Sequence, residues 1–174
     1  MVAAVTRLTR IVCMAATAAA LTAQSHAQVV PGNSFPSLAA GGLSGGKAPE
    51  TAGSVLLVDF WASWCAPCKA SFPAYSRIQA AYAARGLAVV AIGVDDSPSA
   101  YEAFVAKLRP GFTTLYDPQH KFVSLVQVPT MPTSYLVDRS GRVRFVHPGF
   151  HGDQTEREIR AEIEALLDEQ SVAR

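Results

Sequence analysis

The chain has 174 residues, of which 49% are hydrophobic and 17% charged, and its formal net charge is +1. That length suits one domain with a sizeable core. The near-neutral balance, with no basic stripe carrying interleaved aromatics, argues against a nucleic-acid partner.

Residues 1–27 read as an export signal rather than as part of the fold. Arg7 and Arg10 form a positive start, Ile11 to Ala23 is an apolar, alanine-rich run, and Ser25-His26-Ala27 offers an A-x-A-like cleavage site before Gln28. The alternative is an uncleaved membrane anchor, for which this run is short against the ~20 residues of a span. Cys13 has no small residue before it, so lipidation is not expected. With Cys13 removed, Cys65 and Cys68 are the only cysteines. In an oxidising compartment such a pair is oxidised unless something reduces it.

Residues 28–53 are rich in Gly, Ser, Pro and Ala, with Gly41-Gly42 and Gly45-Gly46. They read as an extended arm with a short edge strand around Ser37 to Ala39. Ser54 to Trp61 is a nearly continuous apolar run, the pattern of a central strand covered on both faces. Asp59 interrupts it. A carboxylate there is costly to ionise, so its pKa is expected to rise, and such perturbed groups cluster at functional sites.

Directly after this strand comes Trp61-Ala62-Ser63-Trp64-Cys65-Ala66-Pro67-Cys68-Lys69. Two cysteines separated by two residues at a strand-to-helix junction mark a redox-active dithiol. Unpaired N–H groups and the helix dipole stabilise a thiolate at Cys65. Cys68, one turn in, is placed to resolve a mixed disulfide, and Pro67 fits a first-turn position that needs no donor.

The helix is expected to run to about Ala84, with Phe72, Tyr75, Ile78 or Gln79, and Tyr82 at helical spacing, a kink at Pro73 and a stop at Arg85-Gly86. Leu87 to Val94 is a second buried strand, left at Asp95-Asp96. Ser97 and Pro98 open a helix whose apolar face is Tyr101, Phe104, Val105 and Leu108, and Arg109-Pro110-Gly111 stops it. Two strands joined through a helix make a parallel unit. Thr113 to Tyr116 reads as a short strand, Asp117 to Gln119 as a turn, Lys121 to Val126 as a helical piece, and Thr133 to Val137 as a strand. A turn at Asp138 to Gly141 leads to an edge strand in which Val143 and Phe145 alternate with Arg142 and Arg144, ended by His147-Pro148-Gly149. Asp153 with Glu156, or Thr155 with Glu158, is expected to cap a last helix whose buried stripe is Ile159, Ile163, Leu166 and Leu167.

Asp59-Phe60-Trp61-Ala62 followed by Trp64-Cys65-Ala66-Pro67-Cys68-Lys69 resembles the thioredoxin superfamily, and the Trp-Ala-Ser-Trp-Cys form resembles its secreted branch, the TlpA-like disulfide reductases. The resemblance runs from about Ser54 to the C-terminus. It implies an α/β, thioredoxin-like fold over residues 54–174, a mixed central sheet with helices on both faces, and a periplasmic location. Residues 28–53 correspond to the region where these proteins usually add a hairpin. Met131-Pro132-Thr133 resembles the cis-proline loop. That assigns the cis bond to Pro132 rather than Pro129, and substrate contact to Met131 and Trp64. Asp59 matches an aspartate that helps to shuttle the proton of the second cysteine. Lys69 is a lesser candidate for lowering the thiolate pKa.

The expected activity is thiol–disulfide exchange without a cofactor, reducing disulfides of periplasmic proteins, with cytochrome c or oxidase assembly among the implied settings. The expected partners are protein disulfides and a membrane thiol transporter as electron donor, and the chain is expected to be a monomer. Ala66-Pro67 places no cation between the cysteines, which favours a reductase over a disulfide-donating oxidase. A metal-binding or copper-delivery module is the third reading. It would pair Cys65 and Cys68 with His147 and His151, but the two pairs lie far beyond the usual ~12–15 residues.

Overall fold

The computed structural model describes residues 28–169. The expected export signal lies outside them. Five strands form one sheet in the order β3-β2-β1-β4-β5. β1 (Val55–Trp61) is central and buried along its whole length. It pairs in parallel with β2 (Leu87–Gly93), which pairs in parallel with β3 (Thr113–Tyr116). On its other side β1 runs antiparallel to β4 (Thr133–Val137), and β4 antiparallel to β5 (Val143–Pro148). The sheet is therefore mixed, as expected.

The alternation of β1 splits the core. Val55 and Leu57 pack with Tyr75, Ile78, Ile159 and Ile163, from α1 (Ala66–Tyr82) and α4 (Asp153–Asp168). Leu56, Val58 and Phe60 face a second cluster with Tyr101 and Phe104 of α2 (Pro98–Leu108) and Phe122 of α3 (Lys121–Val126). Helices thus cover both faces. Caps read from the sequence set several boundaries. The Ser97 side chain accepts from the Ala100 N–H, with Pro98 inside the first turn. Gly86, at φ 97°, ends the 3-10 turn that closes α1, a conformation open to glycine at little cost. α1 continues through Pro73 as one element. At Gly93 a Cβ would meet Tyr101 at 2.6 Å and Trp61 at 2.9 Å. A bare backbone there lets Trp61 stack on Tyr101 and Phe104.

Two local expectations are corrected. Ser37 to Ala39 does not form a strand. The Ser37 side chain captures the Ala39 N–H and caps a 3-10 turn over Leu38–Gly41, which Gly42 ends at φ 66°. Sheet-like pairing in the arm occurs instead on either side, at Ser34 with Arg142 and Ser44 with Tyr116. The first turn of α4 has no capping box. Gly152 is the N-cap, and Thr155 Oγ1 turns back to accept from the His151 N–H at 3.0 Å. Asp153 and Glu156 still lie in that first turn, where the helix dipole favours negative charge.

Candidate active site

Cys65 is the N-cap of α1. Its backbone is extended (φ −82°, ψ 109°), and its Sγ accepts from the Cys68 N–H at 3.2 Å. A sulfur here occupies the place of a capping oxygen, so any charge on it faces unpaired N–H groups at the positive end of the helix. Pro67 lies within the first turn. Cys65 and Cys68 are joined by a disulfide and both are buried, whereas Trp64 beside them is 69% exposed. Ala66, Pro67 and Lys69 are exposed as well.

The turn into this helix is held by a residue that the sequence marks only as a strand exit. Asp95 is buried, and its carboxylate accepts from the Ser63 N–H at 3.1 Å and from the Ser63 hydroxyl at 2.7 Å. Its carbonyl accepts from the Tyr116 hydroxyl at 2.9 Å. The one sequence signal is an acid immediately after a buried strand. Asp95→Ala strips the Ser63 N–H and hydroxyl of their acceptor. It is expected to cost about 2 kcal/mol or more in urea unfolding of the oxidised protein, and to loosen the Trp64–Cys65 turn, readable as a changed Trp fluorescence spectrum.

Asp59 is fully buried in β1. Ser134, its register partner in β4, donates to Asp59 Oδ1 at 2.8 Å. The Tyr75 hydroxyl of α1 lies 2.6 Å from Ser134 Oγ. Burial pushes the Asp59 pKa up from 3.8 to about 8, against the lowering effect of the Ser134 and Tyr75 hydrogen bonds. Tyr75 rises well above its usual range, first through burial and then through the neighbouring Asp59 charge. Cys68, Ser71 and Tyr75 share the buried stripe of α1, and Ser71 donates to the Cys68 carbonyl at 3.0 Å. Asp59 is thereby linked to the helix that carries the cysteines. Sequence reasoning finds Asp59 but neither Ser134 nor Tyr75 as its partner.

The Met131–Pro132 peptide bond is cis. Because Phe60 pairs with Thr133, Pro132 precedes β4 beside the end of β1 from which the Cys65 turn departs. The Pro132 carbonyl accepts from the Gly149 N–H at 2.7 Å. Met131 is half-buried and packs on the cluster that includes Cys65 and Cys68. His147 is not brought to the cysteines. It lies in β5 with Nε2 2.6 Å from Glu162 of α4. Among the described residues no group of three or more His, Cys, Asp or Glu is placed to hold a metal ion.

The chain is 35% identical to a Chlorobium tepidum protein of solved structure given the provisional designation thiol:disulfide interchange protein DsbE. That match covers 80% of this chain and 99% of the other, at a TM-score of 0.73. A second solved structure, MTB dsbF in mixed oxidised and reduced forms, is 25% identical over 66% of this chain and 82% of that one, at a TM-score of 0.57. Thiol-disulfide oxidoreductase ResA of Geobacillus kaustophilus is 25% identical over 66% of this chain and 64% of its own length. The ResA of Bacillus anthracis is 29% identical over 52% of this chain and 53% of its own. The chain thus spans between about half and two thirds of these curated relatives. The Redoxin family matches residues 14–163. That stretch takes in all five strands, the disulfide and most of α4, so the chain belongs to the Redoxin family and its fold is thioredoxin-like.

Proposed function

We propose that this chain is an exported thiol–disulfide oxidoreductase that reduces disulfides of periplasmic proteins. The observation that carries the reading is the Cys65–Cys68 disulfide at the N-terminus of α1, with the Cys68 N–H directed at Cys65 Sγ. In the reduced enzyme the Cys65 thiolate attacks one sulfur of a substrate disulfide. The substrate S–S bond breaks, a mixed disulfide forms, and one substrate thiolate leaves. Cys68 then gives its proton to the Asp59 carboxylate and attacks Cys65 Sγ. The second substrate thiolate leaves and Cys65–Cys68 is oxidised. The substrate gains two electrons, and its two thiolates take up protons.

With a pKa of about 8, roughly one Asp59 in ten is ionised at pH 7, so the base form grows as pH rises through that value. Exposed Trp64 and the loop of Met131 and Pro132 form the docking surface in this scheme. An extended substrate segment pairs with the Met131 backbone there. Turnover outside the cytosol needs an electron donor, here a membrane thiol transporter. Assembly of cytochrome c or oxidase is the setting in which such a reductase would act. Among the described residues no helix is long and apolar enough to cross a membrane. This reading assigns export to the segment before residue 28.

The test of direction is the redox equilibrium of Cys65–Cys68 with glutathione, followed by Trp fluorescence. A potential near thioredoxin, about −270 mV, is expected for the reductase. A value near −120 mV would overturn that direction and make the protein a disulfide donor.

A further inference from the structure

The exchange scheme uses Asp59 but not the two hydroxyls attached to it. Asp59, Ser134 and Tyr75 are all buried. Ser134 Oγ commits its single hydrogen to Asp59 Oδ1. It must therefore accept at its 2.6 Å contact with the Tyr75 hydroxyl, and Tyr75 is the donor. Burial and the Asp59 charge keep Tyr75 protonated far into the alkaline range, so the direction of the chain does not reverse. The other carboxyl oxygen differs. Asp59 Oδ2 is buried and has no hydrogen-bond partner among the described residues. We propose that Ser134 and Tyr75 are positioning residues for Asp59: they hold Oδ1 as a permanent acceptor and confine the exchanging proton to Oδ2. The inference rests on the reading of Asp59 as the proton partner of Cys68.

The surroundings leave these two hydroxyls as the polar control of the carboxyl. On β2, Asp59 pairs with Ala91, which carries no charge. From α1 the titratable groups on the buried stripe are Tyr75 and Tyr82, the second donating to Glu164 of α4, and Cys68 is held in the disulfide, while Arg77 is turned outward to Glu156 of α4. From β5 the nearest such group is His147, in register with Ser134 and held by Glu162 of α4. None of these outer pairs is among the causes of the Asp59 shift; burial, Ser134 and Tyr75 are. A donor that favours the ionised carboxylate lowers its pKa, so removing it raises the pKa further.

The experiment is a pH titration of the Asp59 carboxyl by carbon NMR in the oxidised chain, which needs no substrate. In Ser134→Ala the midpoint is expected to move up by about one pH unit or more, about tenfold in the proton equilibrium. Tyr75→Phe is expected to move it the same way by less, and Ser134→Thr, which keeps a hydroxyl, to bring it back toward wild type. A wild-type midpoint in a natively folded Ser134→Ala overturns the proposal. Should that variant not fold, a wild-type midpoint in Tyr75→Phe overturns it equally. The reading of Asp59 as proton partner is tested apart, by the mixed-disulfide resolution rate of Asp59→Asn. An unchanged rate there sinks that reading and, with it, the catalytic meaning of the chain, while the titration still reports whether the hydroxyls set the carboxyl.

Discussion

Asp59→Asn makes the oxidised protein progressively more stable than wild type as pH rises from about 4 to about 8. In the unfolded chain Asp59 loses its proton near 3.8, whereas in the folded chain burial holds it to about 8. Between those values the folded state carries a proton that the unfolded state has released, so wild-type stability falls with rising pH. The contribution is fully present below about 4, is lost on the way to the folded value, and is flat above it. Across that window the gap between variant and wild type changes by on the order of 5 kcal/mol. Asparagine cannot ionise, and its carbonyl keeps the acceptor that Ser134 uses. Urea unfolding curves of both proteins at several pH values, disulfide intact, check this. Parallel stabilities across the window would mean that Asp59 is not buried in the form described. The same slope is in keeping with the proposed role of Asp59: a core residue kept only for packing would gain by losing its charge.

On the proposed mechanism Cys65→Ser is expected to lower exchange to the buffer background, whereas Cys68→Ser is expected to leave a chain that still attacks but cannot finish. The asymmetry follows from position. Cys65 sits at the cap with Trp64 exposed beside it, while Cys68 is fully buried one turn into α1. Cys68→Ser is therefore expected to accumulate a covalent adduct with a disulfide-bonded protein, seen as a higher-mass band on non-reducing gels and removed by a thiol. Equal trapping by Cys65→Ser would mean that the roles are reversed. Intact-mass measurement of the adduct also names the protein captured.

Much of this arrangement is legible in the sequence. β1 and β2 are continuous apolar runs because both of their faces are covered, and Ser97-Pro98 marks the start of α2. Asp59 stands out because a carboxylate in such a run has no water to face. Its partners do not, because Ser134 lies 75 residues further on. Only the pairing of β1 with β4 brings them together. Asp95 is hidden in the same way: its value comes from Ser63, 32 residues before it, across the end of the sheet. Near Ser37 and at the start of α4, the local signals compete. A serine can cap or pair, and the turn over Leu38–Gly41 wins because Gly42 supplies the left-handed exit. Gly152 displaces the side-chain caps because its own positive φ already sets the entry of the chain into α4.

The arm touches both outer strands. Asn33 and Gly32 exchange hydrogen bonds with Val143 of β5, and Ser44 and Tyr116 of β3 bond each other in both directions. Phe35 fills the span between with its ring against Phe122 and Tyr135. Outer strands are where sheets of separate molecules join, and here each has a position already taken by the chain itself. Met131, by contrast, makes no backbone hydrogen bond among the described residues. Both flanks of the sheet are thus partly closed by the chain's own arm, and the unpaired backbone at Met131 lies in the loop that packs on the disulfide. If extended protein segments are the substrates, as proposed, that loop is where they would pair, with the flanks already occupied.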